Sequence, residues 1–264
     1  MKYLLKSILI LIGLIWALPL RAAETTACIK APSCEELGYT RTIAKCKGVN
    51  YLHCPFDSAK VYCILPMKTG DILYSDFTYD SDVIAGKTPI GVIVDPSRRL
   101  AAALEYSSGK LAMGTGSTDI FGYSSESSAL ADYTGASNTE ELLSAFSGSP
   151  SNAPAANYCH TYSTAGTSAG EWFLPSLGQL DLLTSNIRTI NSTLKKLGKK
   201  TYPTKSSGLV GSSRNLHLWS SSSYSASGET TSSAAYLQYI RKRKYDVREY
   251  SYTYTANVVP FLQF

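Results

Sequence analysis

The clearest local signal for secondary structure in this chain of 264 residues is the stretch Gly170-Glu171-Trp172-Phe173-Leu174-Pro175-Ser176-Leu177-Gly178-Gln179-Leu180. Pro175 breaks the preceding structure, and Ser176 follows it as a helix N-cap residue. Gln179 stands three positions later, which completes a capping box. The stretch therefore predicts the start of a helix at Ser176.

The residues after this start have the period of one helix face. Apolar side chains recur at three- and four-residue steps, at Leu180, Leu183, Ile187, Ile190, Leu194 and Leu197. Gly198 then supplies a stop signal. We expect one helix, or two helices divided near Asn186, with the apolar face in the core. The helix dipole favours the positive charge of the lysines near its C-terminal end.

Two further helices and several strands are predicted around this segment. Asn138 stands three residues before Glu141, which predicts an N-cap and a short helix through Phe146, and a second helix is expected over Ala153–Tyr162. Short apolar runs bounded by Gly, Pro, Asp or Ser predict strands. These are Gly70–Tyr74, Pro89–Val94, Leu100–Tyr106, Leu216–Ser220, Ala234–Ile240, Tyr245–Thr255 and Val258–Phe264.

Alternation marks the strand near the end of the chain. Tyr250, Tyr252 and Tyr254 alternate with small hydroxyl residues, the period-2 pattern of a half-buried strand. Trp172 and Trp219 stand in apolar contexts, so we expect them in the core, the alternative being stacking on a sugar ring. The fold class predicted is α+β, with few helices, short antiparallel strands and long loops.

Several blocks occur together in a fixed order. They are Gly70-Asp71-Ile72-Leu73-Tyr74, Gly86-Lys87-Thr88-Pro89-Ile90-Gly91-Val92-Ile93, Asp132-Tyr133-Thr134-Gly135 with Asn138-Thr139, Ala155-Ala156-Asn157-Tyr158-Cys159, the opening stretch, and Leu218-Trp219-Ser220-Ser221-Ser222. This set resembles the domain family named for the C-terminus of Legionella collagen-like proteins, over residues 67–264. The resemblance implies a C-type-lectin-like α+β fold on an exported bacterial surface protein with an adhesive or carbohydrate-binding role. The best-studied members of the family bind sulfated polysaccharides.

The N-terminus has the parts of a secretory signal. Lys2 and Lys6 precede a short apolar region, Ser7–Leu18, and Ala22 offers a small residue for cleavage. We expect residues 1–22 to be a signal peptide, the alternative being a retained signal anchor. The apolar region is shorter than the ~20 residues of a spanning helix. An extracytoplasmic location is therefore expected: secreted, on the cell surface or in the periplasm.

Six cysteines follow the signal, which in an exported chain indicates disulfides. They are Cys28, Cys34, Cys46, Cys54, Cys63 and Cys159. The first five lie close together, so residues 23–66 are expected to form a small disulfide-rich module before the domain at residues 67–264. We expect two bridges inside the module and a third to Cys159. A zinc site is the alternative, but the cluster has no C-x2-C or C-x4-C pair.

Charge is divided unevenly along the chain. Residues 23–181 hold 10 Lys/Arg and 17 Asp/Glu, whereas residues 182–264 hold 12 and 3. The densest basic cluster is predicted at a hairpin tip, with lysines near the end of the long helix as its possible extension. These candidate polyanion-binding residues are Arg241, Lys242, Arg243, Lys244, Arg248, Lys195, Lys196, Lys199 and Lys200. The alternatives are a solvated turn that keeps an edge strand soluble, and neutralisation of the basic half by the acidic half.

The sequence gives little support for catalysis. It contains no phosphate loop or dinucleotide fingerprint, and side chains adjacent in sequence, such as those of Cys159 and His160, rarely face each other. We expect no enzyme activity, cofactor or resident metal; calcium at Asp71, Asp76, Asp80 and Asp82 is a lesser alternative.

The function predicted is therefore a binding or adhesion protein for a glycan, another polyanion or a surface protein. Export argues against a nucleic-acid partner. The alternative is a structural or assembly subunit of an extracytoplasmic complex.

Overall fold

The structure, a computed structural model, describes residues 51–54, 57–63, 67–116, 120, 122–146, 150–203, 216–225, 234–240 and 245–264. The chain divides into two compact units, Met1–Pro66 and Met67–Phe264. The described part of the first unit is an antiparallel hairpin of β1 (Tyr51–Cys54) and β2 (Asp57–Cys63). The predicted signal peptide and Cys28, Cys34 and Cys46 lie outside the described residues.

The described strands of the second unit are β3 (Ile72–Tyr74), β4 (Tyr79–Asp80), β5 (Pro89–Asp95), β6 (Leu100–Ala103), β7 (Leu111–Ala112), β8 (Trp172–Phe173), β9 (Leu216–Tyr224), β10 (Ala234–Ile240), β11 (Tyr245–Ser251), β12 (Thr255–Ala256) and β13 (Phe261–Gln263). Six of them form an antiparallel sheet in the order β4-β3-β5-β6-β13-β8. Its central strands β5 and β6 are almost wholly buried, which explains why they read as continuous apolar runs. The others form a three-stranded antiparallel sheet, β11-β10-β9, and a short pair, β12-β7.

The described α-helices of this unit lie between β7 and β9 in the chain. They are α1 (Glu126–Leu130), α2 (Gly135–Ala145), α3 (Pro154–Thr161), α4 (Leu177–Ser185) and α5 (Ile187–Lys196). The predicted capping box forms at α4, where the Ser176 amide donates to Gln179 Oε1 over 2.9 Å. Asn186 divides α4 from α5, and Gly198, with a φ of 66°, ends α5 as predicted. These elements confirm the α+β class with few helices and several antiparallel sheets.

Two large core clusters hold this unit together. One packs α4 and α5 against the six-stranded sheet, with Leu183, Leu194 and Phe261 among its members. The other packs α2 and α3 against β9 and β10 around Trp219. Trp172 and Trp219 are both wholly buried, which confirms that they are core residues. Within the described parts of the chain, no helix is both long and apolar enough to cross a bilayer.

Several predicted boundaries differ from the structure, and in two cases a polar group has a tertiary partner. Helix α2 begins at Gly135 rather than after Asn138, since Asn138 donates its amide to Asp132 Oδ2 instead of capping. The alternating tyrosine strand ends at Ser251, and Tyr252 lies in the turn that follows. The Tyr252 ring is nonetheless fully buried, with its hydroxyl donating to Ser223 Oγ over 2.8 Å.

The predicted bridge to Cys159 is also wrong. Cys159 is a free thiol on α3, wholly buried in the cluster around Trp219, where a cysteine packs as a small apolar side chain.

We predict that Cys159 resists alkylation in the folded protein. Burial raises the pKa of its thiol, so little thiolate exists at neutral pH, and the core excludes the reagent. Mass spectrometry after iodoacetamide treatment should find Cys159 unmodified in buffer and modified in denaturant. A peptide containing Cys159 cross-linked to another cysteine would contradict the structure.

A second prediction concerns Gly178 in the first turn of α4. A Cβ at this position would lie 2.4 Å from the Asp132 carbonyl oxygen and 2.6 Å from that of Leu130. Because backbone must move to relieve this contact, Gly178→Ala should lower the free energy of unfolding by about 1–3 kcal/mol, measured by urea denaturation. The control is Gly109→Ala, where nothing lies within 4 Å of the added atom. Equal losses in the two variants would contradict the packing described.

Candidate functional site

The predicted basic residues of α5 lie at its exposed C-terminal end, and several already have partners. Lys196 Nζ donates to the Ser81 carbonyl over 2.9 Å. Lys199 forms a 2.7 Å ion pair with Glu105, and Lys200 lies over the Tyr106 ring, 4.5 Å from its centroid. Lys195 is exposed. The lysines therefore lie on one helix end but contact different loops.

The remaining basic candidates belong to the β10–β11 hairpin. Ile240, the last residue of β10, pairs with Tyr245, the first residue of β11. The four cations at residues 241–244 lie outside the described residues. Arg248 on β11 is exposed and forms an ion pair of 3.3 Å with Asp246. Ile240, which immediately precedes the cations, belongs to the same core cluster as Leu194 of α5.

The aspartates considered for calcium act in turns instead. Asp71 accepts from the Lys68 amide over 2.8 Å, and Asp80 accepts from the Asp82 amide over 3.0 Å. Asp76 accepts from Thr78 and from Lys87 Nζ, the latter over 2.9 Å. These bonds are the ordinary chemistry of Asp in turns. Among the residues described, no group of three or more His, Cys, Asp or Glu side chains is placed to hold a metal.

A buried carboxylate, Asp132, joins three segments that are distant in sequence. Its Oδ1 accepts from the Thr134 amide at 2.8 Å and from the Thr134 hydroxyl at 2.6 Å. Its Oδ2 accepts from Asn138 Nδ2 at 2.8 Å and from Ser222 Oγ at 2.7 Å. Its backbone carbonyl accepts from Ser176 Oγ at 2.7 Å. Asp132 thereby fixes the starts of α2 and α4 and their position against β9.

Strand β9 departs from regular pairing beside Asp132. Trp219 pairs with Leu237 and Ser223 with Ala235, so four steps along β9 match two along β10. The residues between Trp219 and Ser223 are the serines of the Trp-Ser-Ser-Ser block, and all three are buried. Ser222 points to Asp132, Ser220 donates to the Tyr236 carbonyl and Ser221 accepts from Asn138. Bulges of this kind re-aim side chains, here towards the Asp132 network.

A cavity of about 270 Å³ lies beside this bulge. The start of α2 contributes Thr134, Ser137, Asn138 and Glu141, and β9 contributes Ser221 and Ser223.

Ile120 and Tyr123 supply the less polar part of the lining. Burial, and next the charge of Asp132, raise the pKa of the Tyr123 phenol, which keeps it protonated at neutral pH. The cavity is thus a polar pocket with a carboxylate, hydroxyls, an amide and one aromatic ring.

The sequence patterns do not predict this pocket, although two of the segments that build it belong to the blocks of the family resemblance. The available signal was a run of three serines inside an apolar strand, together with Asp132 two residues before Thr134, an Asx-turn pattern. Comparison of the chain with models of protein families, with characterised proteins and with solved structures finds no match.

We predict that Asp132→Asn destabilises the unit. The amide nitrogen must face one pair of donors, either those of Thr134 or those of Asn138 and Ser222, because both carboxylate oxygens accept. Leaving buried donors unpaired should cost about 1–3 kcal/mol of unfolding free energy, measured by urea denaturation. Asp181→Asn, at an exposed position on α4, is the matched control and should change stability little. Equal stability of the Asp132→Asn variant and the parent protein would contradict the role assigned to the carboxylate.

Proposed function

We propose that this is an extracytoplasmic binding protein whose second unit is a C-type-lectin-like domain that recognises a polyanionic glycan. Three of the blocks that carry the family resemblance meet around Asp132, which supports interpreting them as parts of one domain. The antiparallel sheets with few helices are compatible with that fold.

One observation carries the binding proposal: a residue just before each basic segment lies in the same core cluster. Leu194, which is followed by the lysines of α5, and Ile240, which is followed by Arg241–Lys244, are both buried in it. Leu216 of β9 belongs to the same cluster and pairs with Ile240. This common origin favours one basic face made from a helix end and a hairpin connection.

The chemistry of this face suits sulfate or phosphate groups on a saccharide chain. Arginine offers a planar fork of donors that matches such oxyanions, and lysine adds charge on a flexible stem. Exposed ion pairs contribute only about 0–1 kcal/mol, so Lys199 exchanges Glu105 for a sulfate at little cost. Binding through such a face weakens as salt concentration rises.

The alternative function is a structural or assembly subunit. The ion pair between Lys199 and Glu105 favours it, because the lysine comes from the basic half of the chain and the glutamate from the acidic half. In that case the basic residues neutralise the protein's own acidic half or dock on an acidic partner protein.

Retention on a heparin column separates the two functions. The protein should bind at physiological ionic strength and elute with salt, and changing Arg241, Lys242, Arg243 and Lys244 to Ser should abolish most of that retention. If the two segments form one face, the double variant Lys195→Ser/Lys199→Ser should also elute at lower salt.

A variant with the same change of charge provides the control. Lys68 and Lys110 are exposed and lie in the acidic half, so Lys68→Ser/Lys110→Ser should elute like the parent protein. If the parent protein is not retained, or if this control loses as much retention as Lys195→Ser/Lys199→Ser, the proposed basic face is wrong.

A further inference from the structure

We propose that the cavity beside the β9 bulge binds one uncharged sugar ring. This site shares no residue with the basic face, and the proposal does not rest on polyanion binding. Its volume of about 270 Å³ is slightly below the ~300–1,000 Å³ of pockets for drug-sized ligands, which suits a single six-membered ring.

Charge in the cavity excludes anionic ligands. Among the described residues that line it, Glu141 is charged and no lysine or arginine is present. The carboxylate of Asp132 lies directly behind Asn138. A sulfate, phosphate or carboxylate would therefore meet two negative charges with no cation to pair with it, which is unfavourable in a partly desolvated site.

The hydrogen bonds already made by the lining residues determine which groups a ligand must carry. Ser221 Oγ accepts from Asn138 Nδ2 over 3.3 Å, and Ser223 Oγ accepts from the Tyr252 hydroxyl over 2.8 Å. Each of these buried serines keeps its own hydroxyl hydrogen to donate, whereas the ionised Glu141 only accepts. The ligand must therefore both accept and donate hydrogen bonds.

Neighbouring hydroxyls of a sugar meet both requirements at once. An ammonium group only donates, so it would leave the two serine hydrogens without an acceptor. A sugar ring also presents C–H groups to an apolar surface, for which Tyr123 and Ile120 are available on the less polar part of the lining. Ser137, exposed in the first turn of α2, adds another hydroxyl at the mouth.

The site is held in place before a ligand arrives. Asn138 is fixed by three bonds, to Asp132, Ser221 and the Thr134 hydroxyl. The serines of β9 are fixed by the bulge and by the Asp132 network. Because little side-chain freedom is lost on binding, weak polar contacts with a small ligand give measurable affinity.

The test is titration of the protein with four uncharged sugars: glucose, galactose, mannose and N-acetylglucosamine. Chemical shifts of the isotopically labelled protein should show saturable millimolar binding of at least one of them. Ser137→Trp places a large ring in the cavity mouth and should abolish that binding, whereas Ala136→Trp, at an exposed neighbour outside the lining, should preserve it.

A second pair of variants tests the hydrogen-bonding groups of the cavity rather than its size. Glu141→Gln should weaken the sugar about tenfold, because a hydrogen bond to a charged acceptor is replaced by one to a neutral acceptor. Glu140→Gln is the control, since Glu140 points to His160 Nδ1 at 3.2 Å and does not line the cavity. It should leave the affinity unchanged.

The outcomes that overturn the proposal are distinct from those that overturn polyanion binding. No saturable shift with any of the four sugars, sugar binding that survives Ser137→Trp, or preferential binding of ethanolamine as a cationic probe would each refute it. Retention on heparin should not change in Ser137→Trp, so each site is judged by its own measurement.

Discussion

A single buried carboxylate holds the helical part of the second unit in register with its three-stranded sheet. Only 4% of Asp132 is exposed, and an ionised carboxylate taken out of water costs several kcal/mol unless hydrogen bonds replace its hydration. Donors on Thr134, Asn138 and Ser222 supply most of that replacement. If any of these donors is lost, part of the free-energy cost of burying the carboxylate is no longer compensated. Segments 90 residues apart in sequence are therefore held in one geometry.

Close approach of backbone segments is the second condition for this arrangement. The starts of α2 and α4 pack so tightly that a Cβ on Gly135 would lie 2.7 Å from the Ser176 amide. Gly178 allows the same approach to the Asp132 carbonyl. Glycine at both positions lets Gln179 cap its own helix while its amide nitrogen donates to the Tyr133 carbonyl. The residues that cap α4 therefore also form its contact with α2. The bulge in β9 adds the remaining partners of this contact.

Local signals in the sequence were sufficient for most elements, because their causes are local. The capping box at Ser176, the break at Asn186 and the stop at Gly198 depend on neighbouring residues, and all three are found. Where a side chain has a distant partner, the local rule fails. Asn138 is predicted to cap a helix but instead bonds to Asp132 and to Ser221 of β9, which lies 83 residues away in sequence.

The same limit applies to the cysteines and the candidate site. The number of cysteines alone predicts a bridge to Cys159, and a count carries no information about the burial of this residue on α3. The cavity arises from a mismatch of two residues between β9 and β10, and pairing register is a property of two strands rather than of either sequence. The basic cluster, in contrast, is visible in the sequence because contiguous charge needs no partner to be recognised.

The two candidate surfaces differ in what they can contribute to binding. Long cationic side chains, such as those of the proposed basic face, attract an anion over distances set by screening, and they contribute more to association rate than to selectivity. The cavity has the opposite character, with fixed hydroxyls, an amide and the carboxylate of Glu141. A sulfated sugar unit that suits the basic face is repelled by Glu141, and an uncharged unit that suits the cavity gains nothing from lysine or arginine charge. The two proposals therefore assign different chemical groups to the two surfaces, and a saccharide that engaged both would have to carry sulfated and unsulfated units in the same chain.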